Sequence, residues 1–382
     1  MKTYNVGIVG FGFIGKAHAY GYINLPLLYD PVPLRARLHS VCTSRPETAA
    51  RARELLGFEH AYTDFREITE DPETDIVHIC TPNIFHRDAL LSAMAHHKHV
   101  YCEKPLVASL EEAEEVERAL PAYESTAQMV FNYRFFPATL RAQDLASQGF
   151  LGRVTSFRAA YLHAGSADPN APLKWKLDRE MGGGIIGDLG SHALDIVSSI
   201  VGDFEALWCA THIAYPDRPA ADGSGRRVPV EAPDAAVMAV RLPGGCVGTI
   251  EATKVATGAQ DELRFEIHGE RGAMRFNLMH PNWLEVYDAT RPGGPLGGDR
   301  GWQALDTVQN FPAPASGFPP AKAGIGWIRG HAACLHNFLA AVAEGRPAEP
   351  DLAQGIYIQR LMEAAEDSAR SGRWVDVSGL RS

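Results

Sequence analysis

Val6-Gly7-Ile8-Val9-Gly10-Phe11-Gly12-Phe13-Ile14-Gly15 decides the fold. A short apolar strand, beginning at Tyr4, runs straight into G-x-G-x-x-G, and residues 14–22 then read as a helix. In this pattern the first glycine makes the tight turn, the second lets backbone approach a pyrophosphate, and the third lets helix and strand pack closely. The start of the helix offers free N–H groups and a partial positive charge to phosphate. The strand–turn–helix setting separates a dinucleotide site from a mere glycine-rich turn. Gly10, Gly12, Phe13, Ile14 and Gly15 are therefore expected to hold NAD or NADP.

Outward from this stretch the same rhythm repeats. Pro26, Pro31 and Pro33 break the chain into an extended loop before a second strand, 38–43. Helix 46–56 follows, with Ser44 as N-cap, Pro46 just inside and Gly57 as the stop. Strand 76–80, helix 86–97, strand 99–102, helix 110–120 and strand 128–132 complete the series. Strands alternating with helices at this spacing imply a parallel sheet covered on both faces. After Asn132 the pattern changes to strands at 154–162, 206–214, 235–242, 246–254, 264–269, 272–277 and 283–287, several joined by tight turns such as Pro243-Gly244-Gly245. One helix spans 187–200, and two more, 328–344 and 352–371, close the chain. The expected fold class is α/β: a Rossmann domain over residues 1–131, then an α+β domain over 132–382 with a large, mostly antiparallel open sheet. The closing helices are candidates to turn back and pack on the first domain. Two stretches, 216–233 and the Gly/Pro-rich 290–326, read as long loops of the kind that form lids or interfaces.

Composition narrows the function classes. The 382 residues are 46% hydrophobic and 21% charged, an ordinary globular balance. A net charge of −10 without a basic run argues against nucleic acid and anionic membranes. Cys42, Cys80, Cys102, Cys209, Cys246 and Cys334 form no C-x-x-C pair and sit mostly in apolar runs, as reduced thiols of a cytoplasmic protein do. No signal peptide and no membrane-length apolar run is read. No resident metal is expected: Asp188 with His192 falls short of a ligand set, and His96, His97 and His99 sit at a solvated turn.

Two further segments carry chemistry. Glu103-Lys104-Pro105 puts a lysine at the carboxyl end of a strand, and Pro105 biases it toward extended backbone. Gly182-Gly183-Gly184-x-x-x-Asp188-x-x-x-His192 offers a carboxylate and an imidazole one helical turn apart, with glycines that let backbone approach a ligand. Lys104, Asp188 and His192 are the types that proton transfer from a hydroxyl needs, His192 as base and Lys104 as donor to the alkoxide. Thr81, Pro82 and Asn83 end the third strand, where ligands gather in open α/β sheets, and Asn83 and His86 are placed to reach a ribose. At the end of the second strand stand Cys42-Thr43-Ser44-Arg45 and no carboxylate, which tilts the reading slightly toward NADP. Arg134, Tyr161, His163, Lys174, Trp175 and Lys176 are candidate lining for a substrate pocket.

Jointly, Gly10-x-Gly12-x-x-Gly15, Thr81-Pro82-Asn83-x-x-His86, Glu103-Lys104-Pro105, Asn132-Tyr133-Arg134-Phe135, Trp175 and Gly183-Gly184-x-x-x-Asp188-x-Gly190-x-His192 resemble the Gfo/Idh/MocA oxidoreductases over the whole chain. The resemblance implies that Lys104, Asp188 and His192 are the catalytic group, held between the two domains. It adds Glu103, Asn132 and Trp175 to the cofactor contacts, and implies a homodimer or homotetramer formed through the open sheet. Lys16-Ala17-His18-Ala19 and the proline-rich loop look like the branch of that family that holds glycoside 3-dehydrogenases. The expected activity is NAD(P)-dependent oxidation of a secondary hydroxyl of a sugar, glycoside or cyclitol, the 3-hydroxyl among the candidates. Three rivals are carried with it: a glycosidase working by transient oxidation, an NADPH-dependent keto-sugar reductase, and a non-catalytic dinucleotide sensor.

Overall fold

The structure is a computed structural model describing residues 2–381. It divides into two units, Met1–Phe135 with Phe311–Gln359, and Phe136–Asn310 with Arg360–Ser382. The first unit is built on β1 (Thr3–Val9), β2 (Arg35–Cys42), β3 (His60–Tyr62), β4 (Ile76–Ile79), β5 (His99–Cys102) and β6 (Ala127–Met129). All pair in parallel, in the order β3-β2-β1-β4-β5-β6. The connections leave β1 and β4 in opposite directions, so a crevice opens where their carboxyl ends part. Val6, Ile8, Ile76, Val77, Ile79 and Val100 are buried, as strands covered on both faces must be.

Five helices connect these strands: α1 (Phe13–Leu28), α2 (Pro46–Leu56), α3 (Arg66–Thr69), α4 (His86–Ala95) and α5 (Leu110–Ala119). The stop expected at Pro26 does not occur; Pro26 lies in the last turn of α1. A proline there removes a single ladder bond, while Leu25 and Leu28 on either side are buried and hold the turn down. Ser44 does not cap α2 either; the N-cap is Arg45, without a side-chain bond, and Gly57 ends the helix at φ 72° as expected. At α5 the capping is reciprocal: Ser109 Oγ accepts the Glu112 N–H, and Glu112 accepts the Ala108 N–H.

In the second unit α6 (Pro137–Ser147) precedes β7 (Val154–Leu162), and α7 (Ser191–Val201) precedes β8 (Ala206–His212). There follow β9 (Asp217–Pro219), β10 (Arg227–Pro229), β11 (Ala235–Arg241), β12 (Val247–Thr253), β13 (Glu262–Gly269), β14 (Gly272–Asn277), β15 (Trp283–Asp288) and β16 (Trp302–Asp306). Helix α8 (Trp327–Glu344) belongs to the first unit, α9 (Leu352–Ser371) begins in the first and ends in the second, and strand β17 (Val375–Asp376) follows in the second. The large sheet runs β16-β15-β14-β13-β7-β12-β11-β8-β17 and is antiparallel except for β7 beside β12. Helices α6 and α7 cover one face; on the other, Val237, Val247 and Trp283 alternate outward. The stretches expected as loops are partly ordered, since 216–233 contains the β9–β10 hairpin and 290–326 contains β16. Among the described residues no helix is long and apolar enough to cross a membrane.

Candidate active site

The first unit forms a cradle of backbone. Gly10 has φ 91°, and a Cβ there would lie 2.7 Å from the Cys80 carbonyl. At Gly15 a Cβ would stand 2.2 Å from the Gly10 oxygen, so the third glycine is what brings α1 against the turn. Gly12 differs: a Cβ there would meet nothing within 4 Å. The protein itself does not need that glycine, and the open space it faces at the start of a sixteen-residue helix suits a pyrophosphate. The residues thus fit a bound dinucleotide. Phe13 is exposed beside the cradle with its ring 5.4 Å from that of Trp327. Ser44 and Arg45 are exposed past the end of β2, whereas the Thr43 hydroxyl is turned onto the Arg45 carbonyl at 2.9 Å.

His86 meets backbone carbonyls with both ring nitrogens. It is buried, with Nε2 2.8 Å from the Thr81 carbonyl and Nδ1 3.0 Å from that of Pro105. The ring therefore braces the loops after β4 and β5, and burial lowers its pKa. Asn83 is buried at the head of the same loop.

Lys104 follows β5 by two residues, at the same carboxyl edge of the sheet as the cradle, and its peptide to Pro105 is cis. Its backbone N–H donates to Glu103 Oε2 at 3.2 Å. Glu103 Oε1 lies 3.0 Å from His18 Nε2 inside the unit. Burial drives the Glu103 carboxyl up, but the bond and charge of His18, with His331 and Lys104, outweigh it and hold the group below the usual carboxylate range. His18 comes from α1 and was not read from the sequence as part of the site. Asn132, Tyr133 and Arg134 follow in one short helical turn, and the Trp327 indole donates to the Tyr133 hydroxyl at 3.4 Å.

In the second unit, Gly183 is required by packing: a Cβ would lie 2.5 Å from the Trp175 carbonyl and 2.6 Å from that of Asp178. Gly182 and Gly184 take φ 73° and 140°. Gly183 thus seats this segment on the turn Trp175–Leu177, while a Cβ at Gly184 would meet nothing within 4 Å. Asp188 lies on a π-helical turn, Ile186–Gly190, that leads into α7; it is not on the α-helix expected there. Its carboxylate stands between two ammonium groups, Lys176 Nζ at 2.9 Å and Lys254 Nζ at 3.0 Å. Lys254, buried at the end of β12, also reaches the Lys176 carbonyl at 3.3 Å. Sequence reasoning passed over Lys254 because a lysine after a strand ordinarily snorkels to solvent.

His192, on the first turn of α7, is buried with its ring 5.8 Å from Tyr161. Tyr161 does not offer its hydroxyl outward; it donates to Asp261 at 2.5 Å. His163 Nδ1 accepts the Gly165 N–H at 2.9 Å. Lys174 and Trp175 are exposed, and the Lys176 ammonium lies 5.8 Å from the Trp175 ring centre. This half of the chemistry therefore offers a buried imidazole, a carboxylate fixed by two cations, and an exposed indole.

Comparison with known proteins agrees. Residues 4–131 match the NAD-binding Rossmann fold of the Gfo/Idh/MocA oxidoreductase family, and 144–377 match its C-terminal alpha/beta domain. Levoglucosan dehydrogenase of Pseudarthrobacter phenanthrenivorans is 34% identical over 389 residues, covering 99% of this chain and 99% of its own. A solved structure of levoglucosan dehydrogenase with NADH and levoglucosan superimposes with a TM-score of 0.92 at 34% identity, over 99% of this chain and 100% of that one. An NAD binding oxidoreductase from Klebsiella pneumoniae gives a TM-score of 0.90 at 29% identity, over 98% and 99%.

Proposed function

We propose, from the premise that this chain belongs to the Gfo/Idh/MocA oxidoreductase family, that it moves a hydride between NAD and a secondary hydroxyl of a sugar, glycoside or cyclitol. The observation that carries this reading is in the first unit, where one edge of a single parallel sheet presents both the open glycine cradle and Lys104. Bound there, the nicotinamide supplies the hydride acceptor. Residues of the chain do the rest. His192 takes the hydroxyl proton, and Lys104 stabilises the developing alkoxide by a charge-assisted hydrogen bond. Asp188 holds Lys176 and Lys254 in place and sets the charge around that base. Trp175 gives a sugar's apolar face a surface, with Lys174 and Lys176 beside it in the chain; Arg134 and His163 are further candidate substrate contacts.

Levoglucosan dehydrogenase, solved with levoglucosan and with L-sorbose, supports an anhydrosugar or a related cyclic polyol as substrate. NAD is the cofactor this reading assigns. Ser44 and Arg45, exposed with no carboxylate at the end of β2, support use of NADP as well. The outward face of the large sheet, with Val237, Val247 and Trp283, supports a homodimer or homotetramer.

The test is a panel of sugars, glycosides and cyclitols offered with NAD and NADP separately, following absorbance of the reduced cofactor. Turnover with NAD on a cyclic polyol is expected. Release of an aglycone without added cofactor identifies a glycosidase instead, and no turnover on the panel in either direction sinks the reading.

A further inference from the structure

At the β3 edge of the parallel sheet, strand pairing brings together two histidines and a carboxylate that the sequence keeps apart. Ser40 of β2 stands opposite His60 of β3, and the Glu59 N–H donates to the His39 carbonyl at 2.9 Å. His39 is 1% exposed, and neither of its ring nitrogens makes a hydrogen bond among the described residues. An imidazole stripped of water in this way is costly unless something else engages it. Two carboxylates flank the ring without hydrogen-bond geometry: Glu59 Oε2 is 3.3 Å from Nδ1, and Asp71 Oδ2 is 3.5 Å from Nε2. His60 Nε2 lies 3.9 Å from Glu59 Oε1, and the two histidine rings are 4.9 Å apart. One ligand atom from each of His39, Glu59 and His60 falls within 4.8 Å of the others. We propose that His39, Glu59 and His60 bind a divalent metal ion of the zinc class that clips β3 to β2, with Asp71 orienting His39 from behind. The proposal is independent of the dehydrogenase reading above.

The donor set selects the metal. Two imidazoles and one carboxylate suit zinc and leave the fourth tetrahedral position to water, whereas magnesium and calcium want oxygen ligands. Zinc bonds of about 2.0–2.1 Å in a tetrahedron set ligand atoms about 3.3 Å apart, which is the spacing of His39 Nδ1 and Glu59 Oε2. The His60 side chain is 41% exposed and turns inward to close the remaining gap. Its ring is stacked with that of Tyr62 at 5.8 Å, which keeps it on this side of β3. The half-exposed Glu59 and His60 also give an ion a way in from solvent.

A histidine bound to metal commonly directs its other ring N–H at a carboxylate, which fixes the tautomer. Asp71 stands in that place beside Nε2, so Nδ1 is left with its lone pair toward Glu59 and His60. Asp71 is itself held, since Oδ1 accepts the Glu73 N–H at 2.9 Å and Oδ2 the Thr74 hydroxyl at 2.7 Å. The surroundings favour a cation: burial, and then the charges of Asp71, Glu67, Glu59 and Glu73, push the Tyr62 phenol up. One cation competes. Arg37 reaches Glu59 Oε2 at 3.0 Å, but both side chains are half-exposed, and such a pair is weak enough for a divalent ion to displace.

The test is equilibrium dialysis of the EDTA-stripped full chain against zinc, with cobalt(II) as a spectroscopic probe. The wild type should take up one zinc ion per chain, show the intense visible bands of low-coordinate cobalt, and melt at a higher temperature as zinc is raised. Magnesium should do none of this. His60→Gln changes an exposed side chain and should weaken zinc binding at least ~30-fold; Asp71→Asn, which touches no ligand, should weaken it ~10-fold or more. Arg37→Gln removes the competitor and should tighten binding about 2- to 5-fold. No uptake by the wild type overturns the proposal and makes His39 an imidazolium shared by two carboxylates. Uptake unchanged in His60→Gln also overturns it, because the zinc then sits elsewhere, His18, Glu103 and His331 being another cluster of ligand types.

Discussion

Asp188 provides a controlled comparison between two cations. Lys176 and Lys254 reach the same carboxylate at 2.9 and 3.0 Å, but the Lys176 side chain is 47% exposed and that of Lys254 6%. At ~3 Å the bare attraction is about 1.4 kcal/mol in a water-like medium and about 5.5 kcal/mol at the effective dielectric of a protein interior. Neither figure is a net contribution, because burial also strips both charges of water. Removing one partner of a buried pair typically costs 3 to 5 kcal/mol, whereas exposed pairs contribute about 0 to 1 kcal/mol. Asp188 keeps Lys176 when Lys254 is lost, which places Lys254→Met near the lower end, at about 3 kcal/mol. Lys176→Met should cost under about 1 kcal/mol. Urea unfolding followed by circular dichroism measures both. A cycle with Asp188→Asn should assign most of the coupling to the Lys254 arm. Equal losses in the two lysine variants, or a Lys254–Asp188 coupling below about 0.5 kcal/mol, would refute the argument that burial governs this site.

Gly12→Ala and Gly15→Ala should separate ligand from fold: the first keeps its melting temperature and loses NADH affinity by titration, while the second is destabilised because its methyl meets backbone 2.2 Å away. Lys104→Ala should lower kcat on the order of ~10²-fold or more with NADH binding retained, as loss of an alkoxide-stabilising donor does. His331 sits well below its ordinary pKa, at about 3, because burial disfavours its charged form. The unfolded chain therefore binds a proton there below pH ~6.5 that the folded chain refuses, so stability falls with acid through that window. His331→Leu should flatten the slope of unfolding free energy between about pH 6 and 4, by at most about 1.4 kcal/mol per pH unit. An unchanged slope in urea titrations across that range contradicts the assignment.

Much of the first unit was legible because its signals are local. The run into Gly10, the stop at Gly57 and the buried strand 76–79 each announce themselves within a few residues. β3 has three half-buried residues and no alternation to read. β16 was missed because glycines and prolines surround it and its place comes from pairing with β15. Asp188 and His192 were found by spacing alone, but the π turn beneath Asp188 is a property of packing. Lys254 and the bond of His18 to Glu103 were illegible for another reason. A lysine or histidine in a strand or helix looks the same in sequence whether it meets solvent or a buried partner supplied from sixty or more residues away.

The placement of β7 bears on how the second unit assembles. β13 follows β12 directly in the chain, yet β7 lies between them, parallel to one and antiparallel to the other. Hairpins can zip β11 with β12, and β13 through β16, from neighbouring sequence. Neither group can join the other until an upstream strand threads the gap. Closing that long loop makes β7 the step at which two locally formed sheets become one, and puts the kinetic bottleneck of this unit there. A truncation that begins after β7 should therefore leave two open strand edges exposed at once, and a chain prone to aggregate.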